Sequence, residues 1–159
     1  MDNESTEKTI SAYIKSQDIE AMLRLLKFSK YELKEKLVNN KEFMLTLAKE
    51  KPLLVFQNLS DKLKENKEFM LELSMTAPYF FMNHVSDEIK NELIKNKDFM
   101  LKLAQDHFKV AIEKASDELK NNKEFMLKMA TRDLVLVFKK ASEQLKSNPE
   151  FITVLLKMN

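Results

Sequence analysis

Apolar positions along this chain fall in blocks that return at a near-constant interval. Phe43, Met44, Leu47 and Ala48 stand at i, i+1, i+4 and i+5, one face of a helix, and Leu45 widens the stripe. The same template recurs as Phe69, Met70, Leu73, Ser74, then as Phe99, Met100, Leu103, Ala104, and again as Phe125, Met126, Met129, Ala130. A second stripe follows each block at i, i+4, i+8: Val55-Leu59-Leu63, Phe81-Val85-Ile89, Ala111-Ala115-Leu119 and Val137-Ala141-Leu145. Two stripes at helical spacing predict two helices per unit. The polar positions set the boundaries. Asn40, Asn66, Asn96, Asn122 and Asn148 precede each first helix, and Asn is a strong N-cap residue. Pro149 after Asn148 fits the first helical position, and the acid that follows (Glu42, Glu68, Asp98, Glu124, Glu150) complements the helix dipole.

The anchoring Phe residues lie at 43, 69, 99, 125 and 151, so successive spacings are 26, 30, 26 and 26. A period of about 20 to 50 residues is the signature of a stacked array. The predicted fold is therefore all-α, an α-solenoid of about five two-helix repeats in one domain covering residues 1–159. Clear repeats span 40–65, 66–95, 96–121 and 122–147, and a half repeat spans 148–159. Residues 18–39 read as a worn repeat, with Ile19 and Leu23 standing where Phe43 and Leu47 stand 24 residues on, and with Leu33 and Leu37 in its second half. Residues 1–17 read as a lead-in helix capping the stack, with Ile10, Tyr13 and Ile14 on one face. A Ser-acid pair recurs inside each second helix (Ser60-Asp61, Ser86-Asp87, Ser116-Asp117, Ser142-Glu143) and leaves open whether that helix breaks there. The 30-residue repeat carries four extra residues around Asn91–Ile94, about one helical turn.

The pattern resembles the family called domain of unknown function 4116. Asn96-Lys97-Asp98-Phe99-Met100-Leu101-Lys102-Leu103-Ala104, followed by Ala115-Ser116-Asp117-Glu118-Leu119-Lys120, carries the resemblance, and so do Asn122 to Ala130 with Ala141 to Lys146. It covers roughly residues 40–152. The chain departs at the connectors, where the family usually has Asn-Gly, and in preferring Asn to Asp at the cap. The resemblance implies a packed helical repeat and no particular activity.

Composition narrows the function classes. The 159 residues include no Gly, three Pro and no Cys. Without Gly, positive-φ turns must be avoided or given to Asn. Without Cys there is no disulfide, thiolate metal site or Cys nucleophile. The acidic start Met1–Thr6 differs from a signal peptide, and no apolar run approaches the roughly 20 residues of a membrane span. A cytoplasmic protein with no membrane association is expected. The 27 Lys and Arg nearly balance the 25 Asp and Glu, against bulk binding of nucleic acid.

Chemistry is sparse. His84 and His107 are the only imidazoles and read as surface residues, since a metal site needs three or four converging ligands. No phosphate loop, Ser-His-acid spacing or HExxH motif is present. No catalytic residue, cofactor site or metal site is assigned, and the chain is not expected to be an enzyme.

The positions that vary while the core repeats are more informative. At three, six, seven and ten residues after each Phe stand Thr46, Lys49, Glu50, Leu53; then Glu72, Met75, Thr76, Tyr79; then Lys102, Gln105, Asp106, Lys109; then Lys128, Thr131, Arg132, Val135. A repeat array presents such positions along one edge and binds partners there. The expected function is a non-enzymatic protein–protein interaction scaffold. Its partner-binding residues are Glu72, Met75, Thr76, Tyr79, Lys102, Gln105, Lys109, Lys128 and Arg132, with Tyr79 and Arg132 as anchors. The alternative is RNA binding through the basic third and fourth repeats, using Lys102, Lys109, Lys128, Arg132, Lys139 and Lys140. In the last half repeat, Phe151, Ile152, Val154, Leu155 and Leu156 have no following helix. Further chain, the preceding repeat or another copy would cover them, and the last option predicts a homodimer.

Overall fold

A computed structural model describes residues 3–158. Met1, Asp2 and Asn159, at the ends of the first and last expected segments, lie outside the described residues. Among the described residues there are fifteen helices and no strand. They are α1 (Asn3–Ser16), α2 (Ile19–Phe28), α3 (Tyr31–Asn39), α4 (Lys41–Ala48), α5 (Pro52–Asn58), α6 (Asp61–Lys64), α7 (Lys67–Ser74), α8 (Pro78–His84) and α9 (Asp87–Leu93). After them come α10 (Lys97–Lys114), α11 (Asp117–Lys120), α12 (Lys123–Ala130), α13 (Leu134–Lys140), α14 (Glu143–Lys146) and α15 (Pro149–Lys157). They gather into two compact units, one ending at Asn83 and one beginning at His84.

The repeats at 40–65, 66–95 and 122–147 hold three helices each, and in the repeat at 96–121 the first two run together as the kinked α10, which corrects the two-helix unit. The expected second helix stops before the recurring Ser. At 59–60, 115–116 and 141–142 two consecutive residues take extended backbone, with ψ between 135° and 159°. The Ser Oγ then accepts from the amide three residues on: Leu63 at 3.3 Å, Ile89 at 3.4 Å, Leu119 at 3.3 Å and Leu145 at 3.0 Å. The Ser is thus the N-cap of a short third helix. The i, i+4, i+8 stripe survives the break, and Val55, Leu59 and Leu63 are all buried across α5 and α6. The four extra residues of the long repeat lengthen this third helix, since α9 has 7 residues where α6, α11 and α14 have 4.

The first helices follow from their caps. The Oδ1 atoms of Asn40, Asn66, Asn96, Asn122 and Asn148 accept from the amides of Phe43, Phe69, Phe99, Phe125 and Phe151 at 2.8 to 2.9 Å. Helices of 8 residues such as α4, α7 and α12 are too short to be stable alone in water. Burial holds them, because all five Phe side chains are at most 1% exposed. Burying a Phe contributes about 1.5–3 kcal/mol.

In the first unit α4 is central and packs on α1, α2, α3, α5 and α7. Phe56, Phe80 and Phe81 form an edge-to-face cluster with ring centroids 5.1 to 6.2 Å apart. The Ser60 amide donates to the Val38 carbonyl at 3.4 Å, joining the start of α6 to the end of α3. Ser74 replaces the usual Ala at a fully buried position, and its hydroxyl donates to the Met70 carbonyl at 2.7 Å.

The register expected for residues 18–39 is corrected. Asp18 caps α2 by accepting from the Ala21 amide, so Asp18 and Asn40 are the equivalent capping residues and the offset is 40 − 18 = 22. Met22 and Leu26 are therefore buried, and Ile19 and Leu23 are half-exposed. Among the described non-Gly residues one has positive φ, Gln17 at 50°, in the turn between α1 and α2. The other connectors avoid that region, and the one that needs it uses Gln where Asn was expected.

In the second unit α12 packs on α10, α11, α13 and α15. Two backbone bonds join successive repeats at equivalent places: Ser116 N–H to the Ile94 carbonyl and Ser142 N–H to the Lys120 carbonyl, both at 3.0 Å. Two ion pairs do the same between first helices, Lys97–Glu124 at 2.8 Å and Lys123–Glu150 at 2.7 Å. α10 is kinked at His107 (φ −128°, ψ 55°), almost the conformation of Lys51 (φ −128°, ψ 56°) ahead of α5.

Candidate functional site

The variable positions of the first unit follow from the lengths of its helices. α7 ends at Ser74, so Glu72 lies in its last turn, exposed, and Met75 and Thr76 form the half-buried turn beyond it. The Met75 amide donates to the Glu72 carbonyl at 3.1 Å, and the Thr76 hydroxyl donates to the Leu73 carbonyl at 2.7 Å. Thr46, one repeat earlier than Glu72, is buried and not exposed on an edge as expected. The reason is that α1 packs on α4.

These positions converge. Thr46 and Lys49 from one repeat and Glu72 and Thr76 from the next line a shallow cavity of about 500 Å³, closed on another side by Ile14 and Lys15 of α1. Lys15 and Lys49 with Glu42 and Glu72 give its lining two charges of each sign. Tyr79 does not line it. Tyr79 occupies the second residue of α8 and is 45% exposed, and Leu53, at the same place in α5, is 53% exposed.

In the second unit Lys102, Gln105 and Lys109 are exposed along α10. Val135, the counterpart of Leu53 and Tyr79 in α13, is 76% exposed. Lys128 is paired with Glu124 at 3.0 Å, and Glu124 also receives Lys97. The hydrogen bond from Lys97, and then that from Lys128, holds the Glu124 carboxyl down at about 2 from 4.5. The same bond raises Lys97.

Arg132 has a structural task that the repeat pattern concealed. Its Nη1 donates to the carbonyls of Ala104 and Gln105, each at 2.7 Å. Those carbonyls lie just ahead of the kink at His107, where the chain leaves its helical course and helical donors run out. Gln105 and Arg132 are thus brought together by a backbone contact.

The basic residues of the third and fourth repeats divide. Lys128 and Lys140 face carboxylates, the latter Glu113 at 3.9 Å, and Arg132 is committed to carbonyls. Lys102, Lys109 and Lys139 face solvent. Among the described residues no group of three His, Cys, Asp or Glu side chains is placed to hold a metal ion. Among the described residues no helix is long and apolar enough to cross a membrane.

Sequence reasoning missed two features. The Lys97–Glu124 and Lys123–Glu150 pairs were legible as an acid two residues after every capping Asn and a Lys directly after the first four, although only contact between repeats makes them pairs. The other is a pair of exposed rings, Phe28 at 75% and Tyr31 at 81%, flanking the break between α2 and α3.

A family model described as a domain of unknown function (DUF4116) matches residues 40–90 and 96–134, more than half of the chain. No curated protein matches the chain, and no solved structure does.

Proposed function

The chain belongs to the family described as a domain of unknown function (DUF4116), and we propose that it is a non-enzymatic scaffold that binds a protein partner along its variable positions. One observation carries this reading: Thr46, Lys49, Glu72 and Thr76, which differ between repeats, meet around one cavity of about 500 Å³. That volume lies within the range of ordinary binding pockets. Residues that pack the core repeat almost unchanged, so variation concentrated at a shared concavity fits partner recognition. The exposed apolar series Leu53, Tyr79 and Val135 adds anchors of the kind that interfaces use.

In this proposal the three-helix repeats follow one another as a solenoid, supported by the equivalent Ser-to-carbonyl bonds at 60/38, 116/94 and 142/120. The protein acts in the cytoplasm. A homodimer forms through the exposed face of α15, where Leu156 is 72% exposed. RNA binding keeps the support of Lys102, Lys109 and Lys139 alone.

The test is affinity capture from source-cell lysate, with and without nuclease, using the wild type and a Glu72→Lys/Tyr79→Ala variant. A protein retained after nuclease and lost with the variant is the expected result. Recovery of RNA that disappears at moderate salt would replace the scaffold reading with the nucleic-acid one.

A further inference from the structure

Two openings of the first unit, about 810 and 560 Å³, flank α2 and share Glu20, Arg24 and Phe28 as walls. The smaller one has the clearer chemistry. Leu23, Leu26 and Leu54 form an apolar floor, and Phe28 stands at its edge with its ring 75% exposed. Arg24, Lys27 and Lys34 surround that floor against a single carboxylate, Glu20. The Lys27 ammonium lies 5.4 Å from the centre of the Phe28 ring. A second exposed ring, Tyr31, and a further cation, Lys30, follow directly along the chain.

We propose that this groove beside α2 is a second docking site, distinct from the variable positions, and that it takes an acidic amphipathic helix of a protein partner. The floor admits apolar side chains at helical spacing, the mode in which an amphipathic helix lies in a groove. Three cations against one anion select carboxylates on the flanks of that helix. Phe28 is a large, rigid side chain at the edge of the groove, the type that supplies most of the binding energy at interfaces. Stacked nucleic-acid bases would use the rings and cations and leave the three-leucine floor idle, so the groove fits a helix better.

The experiment measures anisotropy of two labelled synthetic helices with leucines at the same helical spacing, one flanked by glutamates and one by lysines. The wild type is expected to bind the glutamate helix and to discriminate by about tenfold or more against the lysine helix. Phe28→Asp is expected to abolish binding, and its unchanged far-UV circular dichroism and urea midpoint confirm that this exposed position does not disturb folding. Lys27→Glu/Lys34→Glu is expected to reverse the preference. No saturable binding of the glutamate helix overturns the proposal. Equal binding of both helices, or binding indifferent to Phe28→Asp, overturns it as well.

Discussion

Arg132 reaches back across 28 residues to place Nη1 2.7 Å from the carbonyl oxygen of Ala104. The same nitrogen lies 2.7 Å from the carbonyl of Gln105, so one side chain closes the end of a helix in the preceding repeat. A side chain that looked like a partner-binding anchor is therefore spent on the chain's own backbone. Arg132→Ala should lower stability by about 1.5 kcal/mol, the small end of the range for a charged donor because the Arg132 side chain is exposed. Urea denaturation should show a lower midpoint with an unchanged slope.

The Asn caps predict a graded result. Asn122→Ala removes the acceptor of the Phe125 amide at 2.9 Å and should cost about 1 kcal/mol. Asn122→Asp keeps an acceptor of equal rank and should leave the thermal midpoint close to that of the wild type. Equal loss in both variants would mean that the carboxamide has another role.

Gln17 carries φ of 50°, where a Cβ is unfavourable. Gln17→Gly should stabilise the chain by up to about 1 kcal/mol, with the flexibility Gly adds to the unfolded chain limiting the gain. Differential scanning calorimetry would register a raised midpoint. A lowered one would show that the Gln17 side chain is needed where it stands.

Glu124 makes stability depend on acid. Its carboxyl is held at about 2 against 4.5, chiefly by the hydrogen bond from Lys97. A depressed acid contributes stability that is fully present above 4.5 and is lost as pH falls toward 2. The thermal midpoint of the wild type should exceed that of Glu124→Gln at neutral pH, and the gap should close across that acid range. Added salt should narrow the gap at neutral pH, because the groups are exposed. A gap indifferent to pH would place the effect of Glu124 elsewhere.

Much of the fold was legible along the chain. The five Phe residues, their capping Asn residues and the two stripes all fall where local hydrogen bonding and burial place them. Each depends only on residues a few positions apart. The break at Ser60, Ser116 and Ser142 was less legible. A Ser inside an apolar stripe is compatible with a continuous helix, and the choice depends on a bond to the preceding repeat, such as Ser142 N–H to Lys120. The same holds for Thr46, exposed by analogy with Glu72 and buried because α1 packs on α4.

Spacing and side-chain type were enough to specify an all-helical chain with a repeating core, because caps and amphipathic stripes are short-range properties. Contacts between repeats specified the rest: which variable residues share a cavity, that Lys97 meets Glu124, and that Arg132 closes a helix end. Those pairings join residues 23 to 30 positions apart, and a one-dimensional pattern shows that such positions recur without showing which of their atoms touch.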